Sequence, residues 1–332
     1  MPRVRTVLAA FVLAITWFAA TPLSAAPSAA LVEAEIARLA APAKGVVGVA
    51  AWRLDGNGPR VSVNANQPFP MASTFKVAVA GAVLAKVDRG ELSLGRMVTI
   101  DPGLHVESEV IADRFIHPGV SLSVHNLIEL MLTQSDNTAT DVLTQLAGGP
   151  AAVTAWVHSQ GVEGLRVDRD TAGLLRNFFG LPAGPFPSAL AAGLKADPDL
   201  VSKGSLANPR FDDDPRDTTT PRAMAQLLDR IFSGKALRPA STQLIIAAME
   251  RNRTGNGRIR GRLPDGTKVA DKTGTIGASL NDVGVITLPG AGGKIVVAIF
   301  VKKSAVPFEA REEVIADIAR SVYDYYLFEP RR

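Results

Sequence analysis

The chain has 332 residues, of which 47% are hydrophobic and 20% charged. It is long enough to bury a sizeable core, and it must do so without disulfides because it contains no Cys. The formal net charge is only +4 and spread along the sequence, with no dense Lys/Arg tract, which argues against nucleic acid as a partner.

Arg3 and Arg5 precede an apolar run from Val7 to about Ala20, and Leu23-Ser24-Ala25-Ala26 follows. A short basic segment, an apolar run too brief for a comfortable membrane span and a cluster of small residues predict a secretory signal over residues 1–25, cleaved near Ala25 or Ala26. The expected location is periplasmic or secreted, as a monomer with no stable membrane insertion after cleavage. The remainder, 26–332, is expected to be a single domain.

Leu31–Leu39 has helical spacing. Val46–Leu54 and Val61–Asn64, separated by Asp55-Gly56-Asn57-Gly58, predict a β-hairpin. A helix is expected from Ser73 to about Asp88. Further helices are expected over Val120–Leu132 with Ser121 as cap, Asp136–Leu146 and Pro150–Gln160. From Gly161 to Asp217 the periodicity is lost among Gly, Pro and Asp, predicting a long loop. Thr218-Thr219-Thr220-Pro221 opens a helix through Ile231. Three strands follow, Lys268–Lys272, Asn281–Leu288 and Lys294–Lys302, before a final helix over Phe308–Tyr326. The economical α/β (α+β) arrangement joins the hairpin and the last strands in one antiparallel sheet flanked by helices. That lobe takes about 30–68 and 255–332, with a helical lobe at about 69–254 and the ligand cleft between them.

Three motifs carry candidate chemistry. Ser73-Thr74-Phe75-Lys76 puts a lysine one helical turn after a serine, so that Lys76 can take the hydroxyl proton and activate Ser73 as a nucleophile. A buried lysine can act as a base because burial penalises its charge. In Ser135-Asp136-Asn137, Ser135 can relay a proton to a leaving nitrogen and Asn137 can grip an amide; alone, the triplet reads equally well as a helix cap. In Lys272-Thr273-Gly274-Thr275, Lys272 can fix a carboxylate, the two threonines add hydroxyls and Gly274 permits close backbone approach; alone it reads as a polar strand end. The N–H groups of Ser73 and Thr275 would form an oxyanion hole.

In this order the three motifs, with FPMASTFK, ELMLTQSDNTATDVL, RDTTTPRAMAQLL and KTGTIGASLNDVGVITLP, resemble the class A β-lactamases, within the penicillin-recognising serine hydrolases. The resemblance runs from about Leu31 to Leu327. It implies a β-lactamase/transpeptidase-like fold, acylation of Ser73 by a β-lactam carbonyl and hydrolysis of the ester. It implies no metal or organic cofactor, and His105, His117, His125 and His158 lack metal-ligand spacing. It also implies an Arg169–Asp217 pair across the loop neck and a cleft wall within Gly103–Ser108, with His105 the expected residue.

One position departs from the family. Aligning Val167-Asp168-Arg169 puts Thr171 where the family has the glutamate that activates the deacylating water, and Leu175 where it has an asparagine. The loop is also about thirty residues longer than usual. Three functions stay open: a β-lactamase in which Asp170 substitutes as base, a DD-peptidase acting on peptidoglycan stem peptides, or a sensor or trap that stays acylated.

Overall fold

The longest apolar runs set the centre of the molecule. Lys294–Lys302 (KIVVAIFVK) and Val46–Arg53 (VVGVAAWR) are apolar on both faces, as central strands covered on both sides must be. In the computed structural model, which describes residues 28–108 and 110–329, both are buried along nearly their whole length. The signal-like segment and its Ala25/Ala26 junction lie outside the described residues.

Nine strands occur among the described residues: β1 (Val46–Arg53), β2 (Val61–Val63), β3 (Phe69–Pro70), β4 (Met97–Thr99), β5 (Ser121–Ser123), β6 (Thr218–Thr219), β7 (Val269–Ile276), β8 (Ser279–Thr287) and β9 (Lys294–Lys302). Five form one antiparallel sheet in the order β2-β1-β9-β8-β7. The N-terminal hairpin thus joins the C-terminal strands directly, with Val46 opposite Lys302 and Ala50 opposite Ala298. β3 pairs with β6, and β4 with β5, as two small ribbons.

Two apolar cores lie on the two faces of the sheet. On one face Val49, Val297 and Ile299 meet the first helix (Ala29–Ala40) and the last (Phe308–Phe328) through Ile36, Ile315 and Val322. On the other, Ala50, Val296 and Phe300 join the larger core of the helical lobe. That lobe contains the helices Lys76–Asp88, Val124–Thr133, Asn137–Ala147, Pro150–Ser159, Pro221–Phe232 and Pro239–Glu250, the last of which the sequence pattern did not announce.

Two expectations need correction. Ser121 belongs to β5, and the helix cap is Ser123, whose hydroxyl accepts the Asn126 N–H at 3.1 Å. The stretch 161–217 is not a structureless loop: it holds helices at Thr171–Phe179, Phe186–Ala196, Leu200–Lys203 and Pro209–Asp212. Its Gly and Pro residues mark helix ends rather than irregular chain. Asp170 caps the first helix through the Gly173 N–H at 2.7 Å, Gly180 ends it at φ 66°, and Pro187 sits in the first turn of the next. Leu174 and Phe178 then bury against Phe211, Ile276 and Ala72, the residue before Ser73.

Candidate active site

The segment before Ser73 is held from two sides. β3 pairs with β6, and the Met71 N–H donates to the Asp217 carbonyl at 3.0 Å. The Asn281 amide donates to the carbonyls of Pro70 and Met71 at 2.9 and 3.1 Å. Ala72 turns the chain in the left-handed region at φ 45°, a conformation uncommon for a residue with a Cβ. Ser73 follows in a short 3₁₀ turn, Ala72–Phe75, that leads directly into the helix Lys76–Asp88. Its N–H lies in the first turn, where no preceding helical carbonyl is available to accept it.

Lys76 is fully buried, and its ammonium donates to the Ser135 carbonyl at 2.6 Å, the Ser135 hydroxyl at 3.2 Å and Asn137 Oδ1 at 2.7 Å. Burial pulls its pKa down to about 7, against the opposing pull of Asp136 and Asp141. Lys272, equally buried, donates to the same Ser135 hydroxyl at 3.0 Å from the other side. Burial, and then the charge of Lys76, hold its pKa well below the ordinary lysine value. Ser135, itself left-handed at φ 57°, therefore carries a hydroxyl bridging two amines that release protons readily.

Asp136 explains why the middle motif resembles a helix cap. Its carboxylate accepts the Ala139 N–H at 2.8 Å, and also the Ser108 hydroxyl and the Ile111 N–H at 2.8 and 2.9 Å. The cap fixes the helix start from which Asn137 reaches Lys76, while the Asn137 amide donates to the Glu107 carbonyl at 2.7 Å.

β7 is the edge strand of the sheet and runs through Lys272, Thr273, Gly274 and Thr275. Gly274 is needed for a different reason than the sequence suggested. A Cβ there would lie 2.6 Å from the Met71 carbonyl and 3.2 Å from the Ala72 Cβ, so it is the protein's own serine-bearing turn that approaches the strand. Arg258, which the sequence reading missed, locks that edge. Its guanidinium donates to the carbonyls of Gly274 and Asn281 and, at 2.7 Å, to the Thr275 hydroxyl.

Beside these groups lies a cleft of about 380 Å³, walled by Glu107 and Asn137, by Thr275, Ile276 and Gly277 of the β7 end, and by Leu175, Phe178, Phe179, Val201, Gly204 and Ser205. Of Gly103–Ser108, Glu107 lines this cleft. The expected neck pair forms: Arg169 Nε meets Asp217 Oδ2 at 2.5 Å, and the N–H groups of Asp168 and Arg169 donate to Asp217 Oδ1 at 2.7 and 3.0 Å.

Thr171 is buried, and its hydroxyl has no hydrogen-bond partner. Its N–H and that of Ala172 donate to the two carboxylate oxygens of Asp141 at 2.6 and 2.8 Å. Burial, and then the neighbouring Asp170, raise the Asp141 pKa to about 7. Asp141 also went unnoticed in the sequence, although it stands one turn after Asn137 and so shares its helix face. Asp170 already has one oxygen committed to its cap.

A family model described as Beta-lactamase enzyme family matches residues 31–326. The extended-spectrum beta-lactamase PER-1 of Pseudomonas aeruginosa is 31% identical over 86% of this chain and 83% of its own length. Beta-lactamase L2 of Stenotrophomonas maltophilia is 31% identical over 90% and 88%. Among solved structures, a W229D mutant of the class A beta-lactamase of the last common ancestor of Gram-negative bacteria superposes with a TM-score of 0.74 at 35% identity, covering 90% of this chain and all of that one. Together with the meeting of Lys76 and Lys272 at the Ser135 hydroxyl, these matches show that the chain belongs to the beta-lactamase enzyme family, among its class A members.

Proposed function

We propose that this protein is an exported serine β-lactamase that forms an acyl-enzyme at Ser73 and releases it slowly. The observation that carries the acylation step is the Ser135 hydroxyl held between Lys76 at 3.2 Å and Lys272 at 3.0 Å. In its neutral form Lys76 takes the Ser73 proton as Oγ attacks the lactam carbonyl. The N–H groups of Ser73 and Thr275 receive the oxyanion. The ring C–N bond opens, and the nitrogen takes a proton relayed through the Ser135 hydroxyl. Asn137 holds the acyl amide, while Lys272, Thr273 and Thr275 hold the ring carboxylate, beside the strand that Gly274 brings close.

Slow release is the finer part of the reading, and it rests on Thr171. A positioned carboxylate base contributes ~10²–10⁴-fold to such a hydrolysis, and a threonine supplies none. Asp170 is the candidate substitute. Asp170→Asn tests it cleanly because asparagine caps a helix as well as aspartate does; the expected result is a slower release, and an unchanged rate removes Asp170 from the mechanism.

The deciding experiment follows a chromogenic cephalosporin and intact protein mass together. A burst of ring opening with one added acyl mass, followed by slow steady turnover, is expected. A stable adduct without turnover would leave a penicillin-binding trap, and cleavage of a D-Ala-D-Ala peptide in preference to the drug would favour a DD-peptidase. Labelling that survives Ser73→Ala would overturn the scheme.

A further inference from the structure

Arg311 is a buried cation that makes no salt bridge among the described residues, although the charge of Glu309 acts on it. It is 4% exposed. Its Nη1 donates to the Gly277 carbonyl at 3.0 Å, and its Nε is buried with no hydrogen-bond partner. Its neighbour shows what a satisfied guanidinium looks like in the same place. Arg258 lies over the same Phe308 ring, 5.6 Å from its centroid against 5.8 Å for Arg311, but is paired with Glu312 at 3.0 Å. Burial, and then the charge of Arg258, push the Arg311 pKa below the ordinary value. A buried unpaired charge is expensive, and a folded protein normally pairs it.

The unpaired guanidinium lines the same cleft as Asn137 and Thr275. The corridor between them exists because the inserted stretch closes over it. The Gly277 N–H donates to the Gly204 carbonyl at 3.0 Å, bringing Val201 and Ser205 opposite Phe178. The cleft is polar at two places, with Glu107 beside Asn137 at one and Arg311 beside Gly277 at the other. Its lining also includes an apolar wall made by Phe178, Phe179 and Val201. Gly277 stands two residues beyond Thr275, roughly 7 Å along extended chain.

Building on the acyl-enzyme reading above, we propose that Arg311 is a specificity-determining residue that receives an anion at the far end of the acyl side chain. The substrates it selects are β-lactams whose acyl group runs through a few apolar carbons and ends in a carboxylate. That second anion is distinct from the ring carboxylate, which falls to Lys272 and Thr273.

The test uses a cephalosporin with a glutaryl side chain and the same compound as its side-chain methyl ester. The second-order rate of Ser73 acylation is measured for each by intact mass. The acid is expected to react ~10-fold or more faster than the ester, with the advantage shrinking as salt is added. Arg311→Gln should bring the two rates together, and Arg311→Lys, which keeps the charge, should restore part of the preference. The comparison on the unaltered protein needs no variant to fold. Equal rates for acid and ester, or a preference that survives Arg311→Gln in a folded protein, overturn the proposal while leaving Ser73 acylation standing. If neither compound adds its mass to Ser73, both readings fall.

Discussion

Lys76 is a base only when neutral, and burial brings its pKa to about 7. The acylation rate is therefore expected to be low below pH 6, to rise as Lys76 loses its proton through about 7 and to level off above; stopped-flow acylation across pH checks this, and a rate that falls over the same interval would contradict it. Thr171 is the second decisive residue. It occupies the first position of its helix, where the macrodipole favours an acid. Thr171→Glu is expected to shorten the acyl-enzyme lifetime by ~10²-fold or more. The crowding of Asp141 and Asp170 beside it will keep part of the new carboxyl protonated near neutral pH. The decay of the acyl mass adduct reads the outcome, and an unchanged lifetime would mean that position 171 does not reach the ester. The motifs holding Ser73, Lys76 and Lys272 were legible in the sequence because each is a short run recognised by residue type and spacing alone. Asp141 and Arg258 were not, because what marks them is burial against chain distant in sequence, the Thr171–Ala172 backbone for one and the β7 edge for the other.

The element that most distinguishes the chain is the helical excursion between Arg169 and Asp217. Its neck is closed by a buried ion pair, and Arg169 also donates to Asn177 within the excursion. Arg169→Met would leave the Asp217 carboxylate buried with backbone donors alone, at a cost of roughly 3–5 kcal/mol. The expected result is a lower Tm together with faster chymotryptic cutting near Phe178 and Phe179; an unchanged Tm would show that the helices hold without the neck. The sequence read this stretch as a loop because two of its helices have only 4 residues each and the other two, of 9 and 11 residues, contain Gly or Pro, which blurs their period. What orders it is contact with the rest of the protein: Phe178 and Phe211 stack edge to face, with ring centroids 5.1 Å apart, beside Ala72 and Ile276.

At the scale of the whole molecule, the first strand and the last helix close the fold. The Tyr326 hydroxyl, fully buried, lies 2.9 Å from both the Ala51 and Pro59 carbonyls, and Arg53 donates back to the Tyr326 carbonyl. Tyr326→Phe strips that hydroxyl from two buried acceptors and should cost about 1–3 kcal/mol of stability. Because it acts on the sheet face away from Ser73, chemical denaturation should report the loss while the acylation rate of the folded protein stays the same. Local patterns in the chain were enough to determine the antiparallel sheet, most of the long helices and the three motifs, since each depends on residue type and short-range spacing. Only the tertiary structure decided what those groups face: two lysines sharing the Ser135 hydroxyl, Gly274 pressed against the serine-bearing turn, the ordered excursion over the cleft and the unpaired Arg311 that lines it. Burial and charge pairing arise between separate segments, 59 residues apart for Lys76 and Ser135 and 137 for Lys272 and Ser135, so spacing along the chain does not encode them.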